Sequence, residues 1–187
     1  MPHRRSALAA RAAIEQSALH IFTSKGYQAA SLDEVAASLG ITRQAVLYHY
    51  GTKEHLLTAL VAPVMEDLER ALDEVDVDDP PTREQQRAAL RAVVASMVAH
   101  REAVALITTL ANESATLAAV PHLIDVNQRV AQALGGTAVE RCPVTRVRVL
   151  ATMAALKGIM GSRLSVPLET EQELETLVDA SLAMLAS

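Results

Sequence analysis

Cysteine is nearly missing from this 187-residue chain. Cys142 stands alone, so no disulfide can form within the chain, and no Cys/His group has the spacing of a zinc finger. Aromatic side chains are also scarce, at 2% of residues: Phe22, Tyr27, Tyr48 and Tyr50 all fall within the first fifty positions. Seven glycines and seven prolines leave little material for a turn-rich β fold or a disordered chain. No apolar run reaches the roughly 18 residues of a membrane-crossing helix. The opening Met1-Pro2-His3-Arg4-Arg5-Ser6 lacks the apolar stretch of a signal peptide. The motifs HExxH, GxGxxG, GxSxG and the P-loop are missing, and Cys142 has no histidine near it in sequence. No catalytic, metal-ligating or cofactor-binding residue is therefore assigned. Alanine and leucine dominate instead, and half the chain is hydrophobic by count. These features predict a soluble, cytoplasmic, all-α protein of one or two domains, long enough to bury a sizeable core.

Charge is unevenly divided. Residues 1–53 carry six basic side chains (Arg4, Arg5, Arg11, Lys25, Arg43, Lys53) against three acidic ones (Glu15, Asp33, Glu34), a surplus of three positive charges. The remainder brings the whole chain to −5. A basic head on an acidic body points to an anionic partner for the head alone, with chance unevenness as the plain alternative.

The periodicity of apolar residues is helical almost throughout and predicts about nine helices with no strand. The first runs from Leu8 to Lys25 with Ile14, Ala18, Ile21 and Phe22 on one face, and Gly26 suits a left-handed stop. Ser31-Leu32-Asp33-Glu34 is a capping box that opens a short helix ended by Gly40. Thr42 caps a third helix to about Tyr50, and Thr52 a longer fourth, in which Pro63 predicts a kink or a break. After the acidic stretch Asp76–Pro81, Thr82-x-x-Gln85 opens a helix to about His100. Further helices are expected from Ala103 to Leu110, from about Pro121 to Gly135-Gly136, from Pro143 to Arg163, and from the Thr170-x-x-Glu173 cap to Leu185. Internal repeats and low-complexity tracts are absent.

Two short helices joined by Leu39-Gly40-Ile41-Thr42 have the layout of a helix-turn-helix. Glycine permits the tight turn, while Leu32, Val35, Ala36, Leu39, Ile41 and Val46 lock the pair. The second helix then presents Arg43, Gln44, Ala45, Tyr48 and His49. A helix of this size fits the DNA major groove, where Arg can pair with guanine and Gln with adenine. Such helix pairs also serve as inert packing units.

The stretch Ser31…Val35-Ala36…Gly40-Ile41-Thr42…Val46…His49-Tyr50-Gly51-Thr52-Lys53…Leu56-Leu57 resembles the N-terminal signature of the tetracycline-repressor (TetR) family of one-component regulators. Ile14…Ala18…Phe22…Gly26-Tyr27 resembles that family's first helix and its exit, so the likeness covers residues 8–60 without a gap. It implies a helix-turn-helix DNA-binding domain over 1–53 and a helical effector-binding and dimerisation domain over 54–187. Leu47 stands where the family usually carries a phosphate-contacting tyrosine, with Tyr48 next to it as the substitute, and Tyr50 stands for the usual phenylalanine.

DNA contacts are expected residue by residue, for Thr42 and Lys53 as the resemblance implies and for the others from their position and chemistry. Thr42 caps its helix and touches a phosphate, Arg43 and Gln44 reach base edges beside Ala45, and Tyr48 and His49 hold phosphates. Lys53 is the phosphate lysine at the next helix's N-terminus, and Ser31 joins the set through the signature it opens. Arg4 and Arg5 would form a disordered arm along the backbone or in the minor groove. For each of these the plain alternative is a capping or solvated side chain. Phosphate contacts position such a head, and base contacts alone specify sequence.

Small residues recur in the helix from Pro143, at Ala151, Ala154, Ala155, Gly158 and Gly161, a stripe that lets helices approach closely. The last helix offers Leu174, Leu177, Val178, Ser181 and Leu185. Paired across a two-fold axis the two helices would form a four-helix homodimer interface, and the resemblance implies the same. The alternative is packing within one subunit. With no aromatic after Tyr50, an aromatic cage for cationic ligands is disfavoured. The expected effector site is instead aliphatic and methionine-lined, drawn from Met97, Ile107, Leu110, Met153 and Met160, with His100 and His122 as polar groups, and its ligand is expected to be small and apolar or acyl-like. A metal sensor built on His100, Glu113 and His122 is a minor variant. The leading expectation is a homodimeric, ligand-responsive repressor on a near-palindromic DNA operator. The alternative is a helical dimeric interaction module without specific DNA readout.

Overall fold

The computed structural model describes residues 2–75, 78–110, 121–161 and 170–186; the side chains of residues 2–6, 121, 160 and 161 lie outside that description. The described residues form ten α-helices and no strand: α1 (Pro2–Lys25), α2 (Leu32–Ser38), α3 (Arg43–Tyr50), α4 (Lys53–Asp73), α5 (Arg83–Ala99), α6 (Arg101–Leu110), α7 (Pro121–Gly135), α8 (Ala138–Arg141), α9 (Pro143–Gly161) and α10 (Glu171–Ala186).

The helix starts follow from local chemistry. Ser31 and Glu34 make the reciprocal capping box that opens α2, and Thr82 with Gln85 repeats it on α5. Thr42, Thr52 and Thr170 accept hydrogen bonds from the amides of Ala45, His55 and Glu173, which would otherwise be orphaned at the starts of α3, α4 and α10. Gly26, with φ of +86°, ends α1 in the left-handed region that a side chain would strain.

One expectation is corrected. Helix α1 begins at Pro2, not Leu8, so Arg4 and Arg5 stand on helical backbone and not on a disordered arm; proline is well placed in a first turn because its missing N–H has no partner there anyway. Helix α4 runs through Pro63, whose missing N–H breaks the hydrogen-bond ladder there, as expected, without ending the helix. A short tenth helix, α8, follows the α7 stop at Gly135-Gly136.

A head of α1–α3 packs on the N-terminal part of α4. Ile14, Ala18 and Phe22 of α1 meet Leu32, Val35 and Ala36 of α2, Val46 and Tyr50 of α3, and Leu56 and Leu57 of α4, all buried. Fully burying each such aliphatic chain contributes about 1.5–3 kcal/mol against exposure. Behind the head, α4 lies against α5, α6 and α7, and α9 lies against α6, α7 and α10. Helices α5 and α6 meet at a 98° bend by His100. That bend carries α6 between α1 of the head and α9 of the body. Arg87 and Arg91 of α5 pair with Glu171, Glu175 and Asp179 and hold α10 in place. No single helix is long and apolar enough to cross a membrane among the described residues.

Candidate nucleic-acid interface and the cavity behind it

Helix α3 is sorted cleanly by its period. Val46 and Tyr50, one turn apart, are buried, and Leu47 leans against the same core. On the far side Gln44 and Tyr48, again one turn apart, are exposed together with Arg43 and Thr42, and Tyr48 is 84% exposed. Ala45 and His49 are half-exposed on the flank. The structure thus gathers Thr42, Arg43, Gln44 and Tyr48 on one open face, with Ala45 and His49 at its edge. Leu47 faces inward from the shoulder, which leaves the hydroxyl of Tyr48 as the phenol available on that face.

The turn before α3 is built for this presentation. Gly40 has φ of +65°, and the amides of Gly40 and Ile41 donate to the carbonyls of Ala37 and Ala36 at 3.2 and 3.0 Å. Two free ends of α2 are satisfied in this way, and the chain reverses directly into the Thr42 cap. From below, Tyr50 Oη donates to Glu15 Oε1 at 2.7 Å and lies 3.2 Å from the carbonyl oxygen of Arg11, whose guanidinium sits 5.1 Å over the ring. Burial, reinforced by the Glu15 carboxylate, pushes the Tyr50 phenol up to about 12.

Several cations of the head are already engaged. The Lys25 ammonium pairs with Glu34. Lys53 donates to the carbonyl oxygens of Tyr27 and Ala30, the latter at 2.7 Å, and stands 4.2 Å over the Tyr27 ring. The expected phosphate lysine therefore also fastens the α1–α2 connection to the start of α4. Ser31 is half-buried and spends its hydroxyl on the α2 cap. Arg43 makes only a loose pair with Asp33, at 3.8 Å and with both side chains well exposed, which leaves its guanidinium able to turn outward.

Behind the head a cavity of about 50 Å³ lies among α4, α5, α6, α7 and α9. Its walls include Val64, Met97, Val104, Ile107, Met153 and Leu156, with Asn127 and Lys157 as the polar side chains. Met97, Ile107 and Met153 were expected here. Leu110 is packed into the core outside the lining, and Met160 lies outside the described side chains. The two histidines are not in the lining: His100 Nε2 lies 2.5 Å from Asp67 Oδ2, and His122 faces Glu69 at 3.2 Å. Among the described residues no cluster of His, Cys, Asp and Glu could hold a metal ion, and Glu113 lies outside them.

Lys157 was missed at the sequence level. Nothing in its neighbourhood there distinguishes it from a solvated lysine, yet its ammonium donates to Asn127 Oδ1 at 2.8 Å, and burial pushes it below the usual lysine range.

On the outer side of α9, Val147 and Leu150 are 65% and 54% exposed, and Ala151, Ala154 and Gly158 share the open stripe. Ala155 is half-buried, and Gly161 lies outside the described side chains. On α10, Leu174, Leu177 and Leu185 are half-buried, whereas Val178 and Ser181 are enclosed within the subunit at 1% and 3% exposure.

Residues 14–60 match the model of the family described as bacterial regulatory proteins, tetR family. A stretch of 59 residues is 37% identical to an uncharacterised HTH-type transcriptional regulator, TtgW, of Pseudomonas putida; it covers 32% of this chain and 44% of that protein, less than half its length. Two solved structures share the whole fold. The TetR-family regulator PfmR of Thermus thermophilus is 21% identical with a TM-score of 0.65, over 93% of this chain and 97% of that one. A tetR-family regulatory protein of Rhodococcus is 22% identical with a TM-score of 0.67, over 94% and 96%.

Proposed function

We propose that this protein is a homodimeric, ligand-responsive transcriptional repressor of the tetR type acting in the cytoplasm, a reading supported by the match of residues 14–60 to the model of that family. The observation that carries this reading is the two-sided helix α3: Val46 and Tyr50 are locked inward while Arg43, Gln44 and Tyr48 stand open. Residues 1–53 form the DNA-binding head and residues 54–187 the effector-binding and dimerising body. Arg43 and Gln44 read base edges in the major groove, and Thr42, Tyr48 and His49 hold phosphates. Lys53, at the start of α4, is the phosphate lysine and also braces the head through the carbonyls of Tyr27 and Ala30.

The exposed apolar face of α9, continued by Leu174, Leu177 and Leu185 of α10, supports pairing with a second copy. Two heads in successive major grooves require half-sites about 10 base pairs apart on a near-palindromic operator. Helix α6 offers a route from ligand to head. It lines the cavity through Val104 and Ile107 and packs against α1. A ligand that favours one setting of α6 biases the head separation, with a coupling of typically about 1–3 kcal/mol.

Retention of duplexes from a random library at physiological salt, followed by sequencing, tests the reading. One near-palindromic site should be recovered, and Arg43→Ala and Gln44→Ala should each lose it. Weak, sequence-independent retention that neither substitution changes would favour a dimeric interaction module without specific readout.

A further inference from the structure

The body cavity is apolar on nearly every side and has one cation at its edge. Asn127 and Lys157, with Leu123 and Met153, line both this cavity and an open groove between α7 and α9, so the lysine stands at the mouth between them. Asn127 Nδ2 donates to the Leu123 carbonyl at 2.7 Å, which turns Oδ1 of the same amide toward the Lys157 ammonium. Among the described residues no carboxylate pairs with Lys157; the amide oxygen of Asn127 is its hydrogen-bonding partner. A half-buried ammonium held by a neutral acceptor is costly, and a ligand that supplies an anion there relieves that cost on binding.

Resting on the reading of the body as the effector-binding half, we propose that the cavity takes a short aliphatic monocarboxylate, its carboxylate paired with Lys157 at the mouth and its alkyl tail among Met97, Ile107, Met153 and Leu156. The walls suit an alkyl chain because they offer it no hydrogen-bonding demand, and the methionines Met65, Met97 and Met153 adapt to its shape. The tail is short because the enclosed space is small, about 50 Å³. Cationic ligands are repelled by Lys157, and an alcohol of the same length leaves the ammonium without a counter-charge.

Titration calorimetry on the full chain with acetate, butanoate, pentanoate and octanoate, each beside its matching alcohol, tests the assignment. Pentanoate should bind at least roughly tenfold more tightly than pentan-1-ol, because only the acid makes the charge-assisted bond. In Lys157→Met that preference should vanish, with the alcohol binding as well as the acid. Thermal melting of the variant without ligand checks that it is folded, and the acid–alcohol comparison in the unmodified protein stands without it. Equal binding of acid and alcohol, or pentanoate affinity unchanged in Lys157→Met, overturns the proposal. If no acid binds while duplex DNA is still retained specifically, the ligand class fails and the regulator reading stands; if neither binds, both fail.

Discussion

Tyr50 Oη lies 2.7 Å from Glu15 Oε1, so the inner face of α3 is bolted to α1 by a hydrogen bond across 35 residues of chain. Two residues earlier, Tyr48 is the most exposed large hydrophobic side chain of the head among the described residues. The same short helix is therefore anchored by one phenol and armed by another. Tyr50→Phe keeps the ring and removes the bond, and should lower unfolding stability by about 1–2 kcal/mol in urea denaturation. Sequence preference on DNA should be unchanged, because the ring still fills its place beneath α3.

Alkaline titration follows from the same packing. The phenols of Tyr27 and Tyr50 are both pushed up to about 12, chiefly by burial, with the carboxylates of Glu54 and Glu15 adding repulsion. A raised pKa means that the folded chain holds these protons more tightly than the unfolded one. Their contribution is present below about 10 and is lost as pH rises through 12. Tyrosinate absorbance should show two phenols ionising only near 12, together with unfolding; two phenols ionising near 10 in the folded protein would contradict the packing.

Lys53 separates two roles that sequence alone cannot. As a strut to the carbonyls of Tyr27 and Ala30, its replacement in Lys53→Met leaves acceptors without their donor and should destabilise the fold by about 1–3 kcal/mol. As a phosphate hand alone, it would leave stability unchanged and lower the salt slope of DNA binding by about one. Denaturation and salt titration of the same variant decide between them, and an unchanged stability contradicts the strut.

Lys157 gives a pH dependence of opposite form. Burial lowers its pKa below 10.5, so in the window up to 10.5 the unfolded chain binds the proton more readily. Stability from this group therefore rises with pH across that window. No other titratable side chain lines the cavity, while Glu140 and Arg146 line the neighbouring groove. Lys157→Met should be more stable than the unmodified protein at neutral pH and should flatten this part of the profile; a loss of stability at neutral pH would contradict the burial argument.

Local chemistry was legible in the chain and tertiary surroundings were not. The caps at Ser31, Thr42, Thr52, Thr82 and Thr170 could be read because each acts within three residues of itself. The open face of α3 was legible for the same reason, since a 3.6-residue period separates Gln44 and Tyr48 from Val46 and Tyr50. Helix α8 was not, as its four residues follow Thr137 without a side-chain cap. Pro63 signalled a kink or a break in the hydrogen-bond ladder, and packing of Leu60, Val61, Val64 and Met65 on both sides carries α4 past it. The buried settings of Lys157 and Val178, and the inward use of Lys53, depend on residues 20 or more positions away, which no local pattern encodes.

The central claim is that the open face of α3 reads base edges. It is tested most directly by measuring the affinity of the unmodified protein, Arg43→Ala and Tyr48→Phe for a selected duplex and for variants with each base pair changed in turn. Arg43→Ala should lose about 1–3 kcal/mol and lose discrimination at one symmetric pair of positions, whereas Tyr48→Phe should weaken all duplexes alike. If Arg43→Ala weakened every duplex equally and left the preference at each position intact, α3 would not be the reading element.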